Sequence, residues 1–141
     1  MNSRNNKSNS ADIRELEQRF PRKKVSLPNG EILSYVDCSI GNHIQYSLLV
    51  IPGYGCDAKY MAYTLAEYPA FCRDHRIIAV DPRGYGESTN VTPIWSHEEN
   101  ADDVKLVMDQ LLLGISANVL VMGYSTGAAV RHGGLVGIKV S

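Results

Sequence analysis

Cysteine is scarce in this sequence: Cys38, Cys56 and Cys72 are the only three among 141 residues. An odd count without metal-ligand spacing builds no disulfide scaffold and marks no metal site, so three small buried hydrophobes in a reducing, cytoplasmic setting are expected. An excess of either charge is missing too. Lys and Arg number 14 against 15 Asp and Glu, a formal net charge of -1. That balance speaks against a nucleic-acid partner, which requires a basic face. No apolar run approaches the ~20 residues of a membrane span; Leu111 to Met122, the longest stretch, is interrupted by Gly114, Ser116 and Asn118. The polar N-terminus has no hydrophobic stretch of the kind a secretory signal carries. What remains, 44% hydrophobic and 21% charged, is the composition of a soluble globular protein of one-domain length.

Met1 to Ser10 reads as a polar lead-in. Ala11 to Phe20 follows as a short helix, with Ser10 as its N-cap, Ile13, Leu16 and Phe20 on one face, and Pro21 closing it. Two extended runs flank Asn29-Gly30, a hairpin turn signal. The period then changes. Ser47 to Ile51, Ile77 to Val80 and Asn118 to Met122 are continuous apolar runs, the pattern of strands covered on both faces. Helical segments lie between them, at about Ala58 to Phe71 and from the capping-box pair Ser96 and Glu99 to Gly114. In the second of these, Ala101, Val104, Met108, Leu111 and Leu112 share a face. Strand and helix alternating in this way predict an α/β three-layer sandwich around a mostly parallel sheet.

The strongest motif is Gly123-Tyr-Ser-Thr-Gly127. With 12 glycines in the chain and as many serines, chance supplies such a pentapeptide about 0.08 times. It also stands where an apolar strand gives way to a helix. There a serine between small neighbours occupies a sharp turn that presents its hydroxyl, with the next backbone N–H and the helix N-terminus aimed at a developing oxyanion. Pro52-Gly-Tyr-Gly55 follows the first parallel strand, and its glycines let the backbone come close enough for the Tyr54 N–H to be a second donor. Asp81-Pro-Arg-Gly-Tyr-Gly-Glu-Ser88 follows the second. Asp81 and Arg83 are expected to pair across this loop, and Ser88 to bond back to the backbone, as scaffolding rather than catalysis.

Taken in order, these three motifs resemble the α/β-hydrolase family over roughly Val25 to Val130. They match its turn after strand 3 (with Pro52 where histidine is common), its D-x-R-G-x-G-x-S loop and its nucleophile elbow. The resemblance implies that Ser125 is the nucleophile and that the Tyr54 and Thr126 amides form the oxyanion hole. It implies a small-molecule substrate with an ester, thioester or amide-like bond, carbon–carbon bond hydrolysis and a haloperoxidase-like branch staying open, and no cofactor or metal. Branches that use an aspartate nucleophile, such as epoxide hydrolases, are disfavoured by the serine. In this family the triad acid and histidine follow the elbow. After Gly127 the sequence offers only His132, expected on the surface, and no carboxylate. His43, His75 and His97 precede the elbow, on loops or helix starts. Without a positioned base, the serine hydroxyl is a weak nucleophile.

The segment 131–141 loses the helical pattern, and Gly133 with Gly134 would cost a helix roughly 2 kcal/mol. The expected organisation is therefore a lead-in and helix over 1–20, the N-terminal part of a hydrolase domain over 21–130, and an atypical tail. Truncation near Val130, as by a retained intron or frameshift, is the expected cause. It would leave strand Asn118–Met122 as an open apolar edge that invites self-association. Two competing readings stand beside the hydrolase. One is a catalytically inactive fragment that binds a partner through that edge. The other is a dinucleotide-binding domain, because Gly53-x-Gly55-x-x-Ala58 opens a helix and Asp81 ends the next strand.

Overall fold

Residues that alternate sides along a strand but are apolar throughout need cover on both faces, and the sheet of this protein provides it. The computed structural model describes residues 9–38, 46–53, 55–68, 75–93, 96–112, 119–123 and 127. Helix α1 (Asn9–Arg19) leads into the hairpin β1 (Arg22–Ser26) and β2 (Ile32–Cys38). Next come β3 (Tyr46–Ile51), α2 (Ala58–Ala66), β4 (His75–Val80), α3 (His97–Leu112) and β5 (Val119–Gly123). The five strands form one sheet in the order β1-β2-β4-β3-β5. β1 and β2 are antiparallel, as are β2 and β4, whereas β3 runs parallel to both β4 and β5.

Alternation divides the apolar strands between two cores. Leu49, Ile51, Ile78, Val80 and Val121 meet Ala101, Val104, Val107 and Met108 of α3. Leu48, Val50, Ile77 and Ala79 meet Ala58, Ala62 and Tyr63 of α2, with Phe20 and Leu16 at the end of α1. Burying a side chain of this size is worth about 1.5–3 kcal/mol, so the two layers together dominate the stability. The expected helices on both faces are present.

The local signals resolve with some corrections. Gly30 has φ 90° in the hairpin turn, and the Asn29 side chain accepts from the Glu31 N–H at 3.1 Å. Ser96 and Glu99 form the reciprocal capping box, each backbone N–H bonded to the other's side chain at 3.1 Å. Ser10, expected as an N-cap, lies inside α1 instead. That helix is docked at its C-terminal end: Glu17 pairs with Lys59 of α2, and the Tyr63 hydroxyl donates to the Phe20 carbonyl at 3.0 Å. Burial pushes the Tyr63 phenol up to about 12, with Glu17 adding to the effect. α2 stops at Ala66, short of Phe71, with Glu67 as its C-cap; the next residues run into Pro69, and a residue before proline is steered out of the helical region. Phe71, Gly114, Asn118 and the tail lie outside the described residues. β5 is only half-buried except at Val121, because β3 is its one partner in the described sheet. No described helix is long and apolar enough to cross a membrane.

Candidate active site at the carboxyl ends of the parallel strands

The chain leaves β3 and returns first on one side as β4, then on the other as β5. Where the direction of winding reverses in this way, the connections diverge and leave a crevice outside the carboxyl ends of the strands. The motifs read from the sequence converge on that place. Pro52, Gly53 and Gly55 follow β3, Asp81 follows β4, and Gly123 ends β5 directly opposite Ile51 in the register. Gly127 is helical and buried. A Cβ added there would stand 2.1 Å from the Ile51 carbonyl oxygen and 2.8 Å from that of Pro52. Both glycines of the pentapeptide are thus held against the end of β3. Ser125, Thr126 and Tyr54, the residues expected to carry chemistry, lie outside the described residues, as do His43, Cys72 and His132.

Below the crevice sits Asp81, fully buried. Its carboxylate accepts from the Ala58 N–H at 2.7 Å, the Ser34 hydroxyl at 2.5 Å and Arg22 Nε at 3.2 Å. Arg22 also reaches Asp57 at 3.1 Å, and Asp57 caps α2 by accepting from the Tyr60 N–H. Two amides of the first turn of α2 therefore have anionic acceptors, joined by one guanidinium. The loop closes round this group: Ser88 Oγ donates to the Asp81 carbonyl at 2.7 Å and accepts from the Ser34 N–H at 2.8 Å. Gly86, at φ 51°, lies so near that a Cβ would come within 2.3 Å of the carboxylate.

The expected Asp81–Arg83 pair does not form. Arg83 turns to the other face of the sheet, donating to both carboxylate oxygens of Asp103 in α3 at 2.6 and 2.8 Å and to the Thr92 carbonyl at 2.6 Å. Asn29 of the hairpin donates to the same carboxylate at 2.9 Å, and Glu31 lies 3.6 Å from the guanidinium. A bidentate fork at Asp103 is stronger than a contact within the loop, and Asp81 already has its partners. Burial opposes ionisation of Glu31. Hydrogen bonds from Thr89 and the Thr92 and Val91 amides, with the charge of Arg83, outweigh it and hold the carboxyl below its usual value. The hydrogen bonds of Asp103 push the Arg83 guanidinium up against its desolvation. The expected bond from Ser88 to the backbone is present. Arg22, Ser34 and Asp57 escaped the sequence reading, since no local pattern announces partners up to 59 residues apart.

Other expectations can be placed too. Cys38 is buried as expected, and Cys56 is partly so. His75 opens β4 rather than lying on a loop or helix start, so it stands a strand's length, about 16 Å, from the carboxyl ends. His97 begins α3. The dinucleotide reading fails on geometry. The Ala58 N–H and Asp81, which would bind pyrophosphate and ribose, are instead bonded to each other. A groove between α1 and α2, about 350 Å³ and lined by Ile13, Leu16, Tyr60 and Tyr63 among others, lies away from the crevice. Among the described residues no cluster of three or more His, Cys, Asp or Glu could hold a metal ion.

No protein-family model matches the chain. An AB hydrolase superfamily protein, YisY, of Bacillus subtilis (strain 168) is 34% identical over 83 residues, covering 59% of this chain and 29% of the relative. Among solved structures, one of the epoxide hydrolases of the alpha/beta hydrolases superfamily from metagenomes of hot environments superposes with TM-score 0.67 at 25% identity. It covers 81% of this chain and 36% of that one. A thermophilic esterase from Thermogutta terrifontis gives TM-score 0.63 at 25% identity, covering 79% and 39%. The chain thus spans about a third of the length of these relatives.

Proposed function

The chain belongs to the α/β-hydrolase family, of which it spans a part, and from that premise we propose that it carries the nucleophile half of a serine hydrolase, with Ser125 attacking the carbonyl of a small-molecule ester, thioester or amide. The observation that carries this reading is the seating of Gly123 and Gly127 on the end of β3. A pentapeptide with both ends seated on one strand end is what a nucleophile elbow requires. In this reading Ser125 Oγ bonds to the carbonyl carbon as its proton passes to a base. The Tyr54 and Thr126 amides hold the oxyanion, the leaving group departs with a proton, and water cleaves the acyl-enzyme.

Activation needs an acid and a base. His75 opens β4 at the opposite end of the strands, and where the resemblance puts the acid and base, beyond Gly127, the sequence supplies His132 alone. Full turnover is therefore assigned to a protein that adds those groups, and residual acylation to these 141 residues. The side of β5 that has no strand partner among the described residues supports a second reading, a non-catalytic module that binds a partner there. Incubation with a fluorophosphonate, followed by intact-mass analysis and peptide mapping, separates the two. Modification at Ser125 that Ser125→Ala abolishes supports the hydrolase. A folded chain that remains unmodified, yet forms a stoichiometric complex, supports the module.

A further inference from the structure

Asp81 is fully buried and has no part in the chemistry just described, yet its carboxylate is bonded to the first amide of α2. We propose that Asp81 is a positioning residue for the oxyanion hole, holding the start of α2, and through it the Pro52–Gly55 turn, at the distance from β5 that the reaction requires. The inference rests on the assignment of the Tyr54 amide as an oxyanion donor.

Four residues separate Gly53, buried at the end of β3, from Ala58, buried at the start of α2. Within them Gly55 takes φ 79° and the Cys56 N–H closes a turn on the Gly53 carbonyl at 3.1 Å. A turn this short has its path set by its two ends. β3 fixes one. The other is fixed by Asp81 at 2.7 Å from the Ala58 N–H and by Arg22, which ties Asp81 to the helix-capping Asp57. Asp81 in turn cannot drift, because Ser34, Ser88 and the close approach of Gly86 enclose it. An oxyanion donor acts only when held within a few tenths of an ångström of its place, and a misplacement near 1 Å costs about 100-fold in rate.

The test compares Asp81→Asn with Arg83→Gln, which breaks the other anchor of the same loop without touching α2. The readouts are the saturation kinetics of fluorophosphonate labelling and the hydrogen exchange of the Ala58 and Cys56 amides. Asp81→Asn is expected to lower the maximal labelling rate about tenfold or more, leave the half-saturating concentration unchanged and speed exchange at both amides. Arg83→Gln should do none of these. Equal loss in both variants, or none in Asp81→Asn, overturns the proposal. If Asp81→Asn does not fold, Asp57→Ala, at a partly exposed site on the same clamp, takes its place, with about a threefold loss expected and the same criteria. A wild-type chain that never labels defeats the Ser125 reading. Exchange then judges the clamp alone, and unchanged Ala58 and Cys56 amides in the variant overturn it.

Discussion

Asp81 and Arg83 stand two residues apart in one loop and serve opposite faces of the sheet. Asp81 faces α2, where its partners are an amide, a hydroxyl and a guanidinium. Arg83 faces α3, where its partners are two carboxylates and a carbonyl. Apolar packing is non-directional and fixes how deep each helix sits better than how far it slides along the sheet. Directional charged contacts at the helix ends supply that register. The loop after β4 thus locates both helical layers from a single point, and the Asp81 anchor is the one bonded to the helix that follows the Pro52–Gly55 turn.

Breaking each anchor in turn sharpens this contrast. The largest loss is expected from Asp81→Ala, which leaves the Arg22 guanidinium only its partly exposed partner Asp57 and orphans the Ala58 amide. Urea unfolding should report a loss of about 3–5 kcal/mol, with exchange rising first in α2. Arg83→Gln should cost less, about 2–3 kcal/mol. Asp103 keeps its bond from Asn29, Glu31 keeps its bonds from the Thr89 hydroxyl and the Thr92 amide, and exchange should rise in α3 instead. Glu31 gives the α3 side a pH signature. Its native value lies below the ordinary 4.5, so its contribution is complete above that value and is lost as pH falls through the native one. The urea midpoint of the wild type should therefore fall more steeply than that of Glu31→Gln between pH 5 and pH 3. Smallest is Ser96→Ala, which removes one half of the capping box of α3 and should cost about 1 kcal/mol.

Reading the sequence worked where the physics is local. The uninterrupted runs Leu48–Ile51 and Ile77–Val80 marked buried strands, Asn29-Gly30 the hairpin, and Ser96 with Glu99 a helix start, because each signal sits within a few residues of what it specifies. Glu31 shows where that stops. A charged residue beside a hairpin turn reads as exposed, and here it is buried because the loop from Thr89 to Thr92, some 60 residues later, donates to it. The choice of Arg83 between Asp81 and Asp103 was equally hidden, since two nearby opposite charges always suggest each other. α2 ran shorter than its apolar pattern because Pro69 overrode periodicity. At the crevice the glycines and Asp81 were legible by motif. Arg22, Ser34 and Asp57, which set where the glycines lie, were not, because folding alone brings them together.

Gly127 gives the family motif a consequence for descent. Its α-hydrogen faces the main-chain oxygens of Ile51, the last residue of β3, and of Pro52, with no room for a methyl group, so even the smallest heritable step at this codon must displace the end of a central strand. The reason for this glycine is packing and not reaction, so a lineage can give up the chemistry proposed for this site while the glycine persists as the mark of the fold.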